Sequence, residues 1–555
     1  MKKPYVALEQ PVNVVGSSKF GRYPKVSAEK TYNMFESDGW LLNMAGYQKI
    51  LQPLEFGEGR GSFVSTRGGF AMMVVNANVY RINPGLGITM VGQLESSTGA
   101  VFIDENLNNQ ICLVDGQDAY IYNWSQPADV VKQTGGFFDD PSFMPNYVCF
   151  HATYFLFGNG VRTGSGSRWF IYEAHISDPF ALTFAGDGAL QIKPDFAIAI
   201  VRIPSQANNV LVFGRGVCEI HTKVVNQATL YRRNSSVSID YGCASVDTIA
   251  TNEDYIMWVG SNPASKPVIM LFEGQQARRV STDGIDYLLG TIKRPDKSMA
   301  DFYRQDGHLF YQVTFYHTDS FDPTQDDNVT IVYDVTADKF YHGSDQNLNF
   351  HPARSVIYFE RDNYFLSLTN GALYIWTTEL TQIIEDIPDN GEPRAPTDPR
   401  LIFDMQCIRI CETVRAPKTT PFAVNTFVLN LDMGNDKTPG TQDCVIIMIT
   451  EDDIRIFTED ASGYVQVVPE DGGIEDCEET PYRGRIDLAM SKDGGETFSN
   501  YVPRYTNVLG KRWNILKWEQ MGMCNEWTPK LRFWISGRKV ASGGIVTIVP
   551  STGAQ

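Results

Sequence analysis

The chain has 555 residues, with 47 Lys and Arg against 65 Asp and Glu and a formal net charge of −18. Hydrophobic residues at 43% and charged residues at 20% exclude global disorder. The acid excess argues against a protein that wraps a nucleic-acid backbone with clustered Lys and Arg, but not against one through which nucleic acid merely passes. No run approaches 18 apolar residues, so no membrane span is expected. The opening MKKPYVALEQPVN has two lysines and no apolar run behind them. No signal peptide is therefore expected, and the chain should fold in a cytoplasm.

Residues 1–55 resemble no later segment and are predicted to form an arm or partial strand set packed on a propeller. From 56 to 384 one unit recurs: an acidic or amide-bearing turn, an alternating strand, a Gly-containing turn, and a second strand rich in aromatics. It appears as GGFAMMVVNANVYRIN (68–83), NNQICLVDGQDAYIYNW (108–124) and HATYFLFGNG with SRWFIYEAHIS (151–177). It returns as NNVLVFGRGVCEIHT (208–222), NEDYIMWVGS with KPVIMLFEG (252–274), DGHLFYQVTFYH with VTIVYDVTADKFYH (306–342) and RDNYFLSLTNGALYIWT (361–377). Spacings of about 40–55 residues match one four-stranded propeller blade per repeat. The aromatic content of 12% and the 47 Gly suit pleated surfaces and tight turns. Six or seven blades are equally compatible, because the first and last hairpins can complete a single closing blade.

EDIPDNGEPRAPTDPR (385–400) holds four prolines and no apolar period, which predicts an interdomain linker. Residues 401–555 carry further alternating strands without a repeat: IRICETVRA, FAVNTFVLNLDMG, CVIIMITEDD, YVQVV, RGRIDLAMS, RWNILKWEQMG and KLRFWISG. They predict a β-sandwich, interrupted by an acidic, Gly-containing insertion at about 433–482. The fold class is thus all-β, a six- or seven-bladed β-propeller plus a C-terminal β-sandwich.

Few residues offer chemistry. SKDGGETF (491–498) fits the Asp-box spacing S-x-D-x-G-x-T-aromatic, with Ser491, Asp493, Gly495, Thr497 and Phe498. Its physics is a hairpin turn: Asp493 bonds backbone amides, Gly494 and Gly495 take positive φ, and Phe498 packs inward. Glycoside hydrolysis needs two converging carboxylates. Asp104, Glu173, Asp254 and Asp334 are candidates, but no spacing singles out a pair, and Arg232/Arg233 and Arg278/Arg279 lie on hairpin flanks. His151, His175, His221, His308, His317, His342 and His351 form no H-x-H or HExxH pattern. GRGS (59–62) lacks the Lys and helix of a phosphate cradle, and GSGS (164–167) reads as a turn. The nine cysteines, Cys407 and Cys411 among them, form no C-x2-C pair and read as small buried hydrophobes. No catalytic centre, metal site or cofactor is expected.

Two stretches are more specific than the repeat: KTYNMFESDGWLLNMAGYQKI (30–50), where an Asn-Met pair leads into a Gly-aromatic-Leu strand, and LAMSKDGGETFSNYVPRYTNVLGKRWNILKWEQMGMCNEWTPKLRFWISG (488–537). With the repeats between them, the chain resembles the packaged-DNA stabilisation proteins, or tail hubs (nozzles), of short-tailed (podovirus-type) bacteriophages. Asn43-Met44-Ala45-Gly46 replaces that family's Pro-Gly turn, and the acidic insertion has no counterpart there. The resemblance implies a structural, non-enzymatic protein of the virion tail, assembled in the host bacterial cytoplasm. It implies a homo-hexameric ring below the portal and adaptor, with needle, spike or fibre proteins around or below. That ring would close the vertex over packaged DNA and guide double-stranded DNA outward without binding it specifically. It also favours six blades. The Asp-box and blade count support an alternative, a glycan-binding or glycan-hydrolysing propeller carried on a virion or secreted. An interaction propeller with no phage context is the third possibility.

Overall fold

A computed structural model describes residues 7–21, 28–53, 55–126, 129–162, 164–225, 229–235, 237–316, 328–378, 380, 382–386, 400–417, 420–433, 448–449, 455–457, 485–506, 513–534 and 539–551. Its propeller has seven blades. In the first, Gly59–Ser65, Phe70–Val75, Asn78–Ile82 and Ile88–Gln93 pair antiparallel in chain order. Residues 102–132, 145–189, 199–233, 242–279 and 294–343 repeat that meander. Each hairpin seen in the sequence supplies the middle strands of one blade.

The alternation explains the stacking. Phe70, Met72 and Val74 pack with Ile111 and Leu113 of the second blade, whereas Ala71, Met73 and Val75 face Ile357 and Leu366 of the seventh. A period of two thus buries both faces of one strand between two neighbours.

The seventh blade decides between the two blade counts left open and gives the N-terminal segment a place. Its strands Ala353–Phe359, Asp362–Ser367 and Leu373–Thr377 are completed by Gly46–Leu51, with Tyr47 opposite Trp376 and Gln48 opposite Ile375. The closing strand therefore comes from the segment read as an arm or partial strand set packed on the propeller, and not from the first hairpin. The count is seven, not the six favoured by resemblance, because this borrowed strand frees the first hairpin to build a full blade. The outer strand of a blade needs only a partner of matching register, whatever its distance in sequence.

Two blades also run on into the C-terminal part. Lys30–Tyr32 pairs parallel with Lys339–Gly343 of the sixth blade and antiparallel with Cys407–Ile410, carrying one sheet across. On the far side of Gly46–Leu51 lies Gln382–Asp386, followed by Arg400–Asp404 and Arg455–Phe457. Strand pairing therefore does not break at 56 or at 384. The linker expected at 385–400 lies, over 387–399, outside the described residues. So does the acidic stretch at about 433–482, apart from Met433, Met448–Ile449 and Arg455–Phe457.

In the C-terminal part, Cys407–Ile410, Glu526–Trp534, Arg485–Ser491 and Val502–Tyr505 form one sheet face. A second sheet is built on Lys539–Pro550, flanked by Phe422–Met433 and Leu8–Val12, with Trp513–Cys524 beyond Phe422–Met433. The two sheets pack face to face, with the Phe427 and Trp527 rings 5.4 Å apart. Lys539–Pro550, the strand in the middle of the second sheet, is not among the strands expected from sequence. One continuous apolar core runs from Tyr303, Phe310 and Trp376 of the last two blades to Trp518, Trp527 and Val546 between these sheets. Asp283–Leu289 is the one α-helix among the described residues, and no helix there is long and apolar enough to cross a membrane.

Candidate functional site

A dense, buried polar cluster sits where the sixth blade meets the C-terminal sheets. Cys407–Ile410 is buried at all four positions, so its one charged residue, Arg409, has no route to water. The N-terminal segment wraps it instead. Arg409 donates to the carbonyls of Val14 and Ser17 at 3.0 Å and to Asn13 at 3.4 Å, to Thr31 Oγ1 at 3.1 Å, and to Glu29 Oε2 at 2.7 Å. Glu29 is also paired with Lys19. Burial pushes the Glu29 carboxyl up, but the Lys19 and Arg409 partners outweigh it and hold the group below its ordinary range. Gly16 lies so close that a Cβ there would sit 2.6 Å from the guanidinium.

Asn33, of the Asn-Met pair, fastens the same place. It takes a positive φ of 54°, a region that Asn tolerates better than most residues. Its side chain donates to Ser344 Oγ at 2.8 Å and to the Gln406 carbonyl at 3.0 Å, and accepts from the Ser344 amide at 2.8 Å. One buried residue thus touches the sixth blade and the C-terminal part together. This arrangement is a mechanical clasp: it fixes two β units in one orientation through satisfied, desolvated polar contacts.

The carboxylates considered for sugar chemistry do not converge. Asp104 accepts from the Phe150 amide of the next blade at 2.7 Å. Asp301, which sequence reasoning missed, does the same to Val356 at 2.7 Å, and burial raises its pKa to about 6. Both are staples between adjacent blades. Glu173 and Asp254 are exposed on separate blades. Asp334 is fully buried and bonds His308 Nδ1 at 2.7 Å, while His308 Nε2 lies 3.0 Å from Ser37 Oγ. This Ser–His–Asp order lines neither the cavity on the propeller axis nor the one beside the clasp. Asp334 also accepts from the Thr336 and Ala337 amides, so the trio anchors the 34–43 hairpin to the sixth blade. Arg279 is paired with Asp283 and Asp286.

The histidines hold structure. His151 bonds Tyr231 and the Ala207 carbonyl, and His221 faces Glu219 at 3.1 Å. His175 is a surface turn residue; His317 lies outside the described residues. His342 stacks between Phe20 and Tyr32, and His351 stacks on Trp376. Burial lowers both pKa values to about 3. In the unfolded chain they take up protons near pH 6.5. Their contribution to stability is therefore complete above about pH 6.5 and is lost as pH falls towards 3, by up to about 1.4 kcal/mol per pH unit for each. Asp301, with its raised pKa, works in the opposite direction. The urea midpoint of the His342→Asn/His351→Asn chain is expected to fall less between pH 7 and pH 5 than that of the parent. Parallel pH profiles would show that neither histidine titrates on unfolding.

The seven described cysteines are all buried; Cys444 and Cys477 lie outside the described residues. Among the described residues no cluster of three or more metal-ligating side chains occurs. Arg60 of GRGS is buried and binds four groups of the 96–99 loop, while GSGS forms a 3-10 turn.

The Asp-box folds as a closed turn. Asp493 accepts from Ser491 Oγ at 2.6 Å and from the Glu496 and Thr497 amides at 3.0 Å, and the Gly495 amide donates to Ser491 Oγ at 2.8 Å. Bonds from Ser491 and Thr497 hold the Asp493 carboxyl well below the usual range. Gly494 and Gly495 have φ of 79° and 97°. Phe498 does not pack into the core: it is half-buried beneath Lys530, whose Nζ stands 5.2 Å from the ring centroid, an ammonium–ring contact that holds it at the surface. In the Asp493→Ala chain the Glu496 and Thr497 amides are expected to exchange with solvent faster while Arg485–Ser491 keeps its protection. Unchanged exchange at both amides would show that the turn does not depend on Asp493.

Two cavities lie among these residues. The larger, of about 1010 Å³, runs down the propeller axis and takes wall residues from all seven blades. The smaller, of about 470 Å³, lies beside the clasp and is lined by Lys19, Lys30, His342 and Phe498 among others.

A protein-family model described as Phage_stabilise, bacteriophage P22 Gp10, beta-propeller, matches residues 22–351. No curated protein matches the chain. Among solved structures, it is similar to a virginiamycin B lyase from Staphylococcus aureus with quinupristin (11% identity, TM-score 0.39, covering 60% of this chain and 98% of that one). It is also similar to the Pan2 WD40 domain of Neurospora crassa (8%, 0.37, 61% and 96%) and to an ancestral GH74 enzyme (11%, 0.35, 70% and 54%). Likenesses this remote carry no argument about function.

Proposed function

The chain belongs to the phage-stabilisation family described as bacteriophage P22 Gp10, beta-propeller, a family of structural virion proteins, and from that premise we propose that it is a tail-hub subunit. Six copies would form a ring below the portal and adaptor, closing the vertex over packaged DNA and later forming the conduit for ejection. The role is mechanical, without catalysis. Assembly would take place in the host cytoplasm, with needle, spike or fibre proteins joining around or below.

The observation that supports this reading is the weld between the propeller and the C-terminal sheets. Two β-sheets and one apolar core cross the junction, and the Arg409 clasp locks it. A wall that must hold against packed DNA needs subunits that do not hinge, and a continuous sheet resists hinging where an ordinary interdomain interface would not. The acid excess, −18 per chain, suits a surface past which DNA slides, because it offers few cations to hold phosphates. The propeller and the C-terminal part are accordingly proposed to act as one rigid body.

Cryo-electron microscopy of virions tests the proposal. The chain is expected in six-fold symmetry directly below the connector, and virions lacking it are expected to lose their DNA. Absence from the tail, or a stoichiometry other than six, would overturn the hub assignment.

A further inference from the structure

The propeller's axial cavity runs against the charge of the molecule around it. Its wall carries Arg162, Arg215, Lys297 and Arg354 against Glu58, Asp247 and Asp296. The carboxylates are already engaged. Asp247 pairs with Arg354, Asp296 with Arg294 at 2.8 Å, and Glu58 accepts the Gly99 amide at 3.2 Å. Arg162, Arg215 and Lys297 are left exposed to the cavity, and none forms an ion pair with a carboxylate among the described residues.

Arg162 and Arg215 come from neighbouring blades, the third and the fourth. Burial, and then the adjacent Arg215, lower the pKa of Arg162. Arg215 is braced in turn, its guanidinium carbon 5.7 Å from the Phe196 ring centroid. Asp296 on the same wall offsets part of the repulsion between them, but it is already paired with Arg294, so two guanidiniums on one wall form a site whose remaining charge an anion would balance. A concavity with low-dielectric walls focuses that field, and guanidiniums match tetrahedral oxyanions with paired N–H donors.

We propose that this axial cavity is a binding site for a small multivalent oxyanion of the phosphate class, gripped by Arg162 and Arg215 with Lys297 as the third cation. Its volume of about 1010 Å³ is at the upper end of small-molecule pockets, about 300–1000 Å³. It is too small for a duplex, whose major groove alone is about 12 Å wide. The site is therefore distinct from any path for duplex DNA and stands whether or not the hub assignment does. The phosphate group could belong to a free ion or to a short single-stranded end.

Calorimetric titration of the full chain at constant ionic strength decides, with sodium pyrophosphate in one arm and a DNA pentanucleotide in the other. Saturable one-site binding is expected, weakened about tenfold or more in the Arg162→Gln/Arg215→Gln chain, as loss of charged hydrogen bonds predicts. It should be unchanged in Arg232→Gln, on the flank of the fourth blade. Lys297→Gln, expected to weaken binding about threefold or more, serves if the double variant fails to fold by circular dichroism. Binding of pyrophosphate alone assigns a free ion, and binding of the pentanucleotide alone assigns a strand end. No saturable binding in either arm, or equal affinity in the cavity variants and the parent, overturns the proposal.

Discussion

A chain that begins at residue 56 is expected to lose its single cooperative unfolding transition and to associate. The missing strand, Gly46–Leu51, pairs on both sides, with Leu373–Thr377 and with Gln382–Asp386. Its removal exposes two unpaired edges, which template pairing between chains. It also takes away Lys30–Tyr32, the strand through which the sixth blade reaches the C-terminal sheets. A gentler version keeps the full chain. Tyr47 is 1% exposed, with ring centroids of His351, Phe365 and Tyr374 between 5.1 and 5.6 Å away. Tyr47→Ala should therefore cost about 3–5 kcal/mol, as for other large buried aromatics. Light scattering and urea unfolding check both. A monomeric truncated chain with the parent's midpoint would mean that the seventh blade closes without its borrowed strand.

Arg409→Met is expected to cost about 3–5 kcal/mol, the range found when one partner of a buried ion pair is removed. The guanidinium is 0% exposed and its Glu29 partner 9%. The substitution therefore leaves the Glu29 carboxylate with Lys19 in place of two cationic partners, and leaves the carbonyls of Asn13, Val14 and Ser17 without their donor. Adding Glu29→Gln should recover part of the loss, because a neutral amide is cheaper to bury than a charge that has lost a partner. The coupling between the two is read from a double-mutant cycle of urea midpoints. A loss below about 1 kcal/mol, typical of a surface pair, would mean that the clasp does not hold the junction.

What sequence reveals and what it hides divide along physical lines. The seven hairpins are legible because their strands are buried on both faces and their turns are marked. In the sixth blade, Asp306 and Gly307 take φ of 50° and 83°, the two-residue turn that an Asp-Gly pair favours. Outer strands are not legible: Val131–Lys132 has two residues and Ile88–Gln93 faces solvent in part, leaving little pattern to read. The closing strand GYQKIL is not singled out in the sequence, and its partner is no more legible, since pairing across the whole propeller is a property of register and not of composition. Arg409 is visible. A charge in the middle of the apolar stretch CIRIC (407–411) signals a buried partner, a signal that a reading of the run for its thiols alone misses. Asp104 and Asp334 are named from the sequence only beside Glu173 and Asp254, with nothing there to set the buried pair apart from the exposed one. Nothing in one dimension separates a staple between blades from a catalytic acid, because burial, hydrogen bonding and a perturbed pKa belong to both.

The borrowed strand also sets a clock. Gly46–Leu51 leaves the ribosome before any blade exists, and Leu373–Thr377, the strand it pairs with, emerges only after the other six blades are made. At about 5–20 residues per second, that separation lasts on the order of tens of seconds. Until it ends the ring of blades stays open and Tyr47, Met34 and Phe35 have no core to enter. Closure of the seventh blade is then a late event, and the N-terminal segment meets the C-terminal sheets later still, because residues 407–550 follow Leu373–Thr377 in the chain. A partly translated or nicked chain would therefore present unpaired edges, so a virion that took up only closed subunits would be selecting for full-length ones.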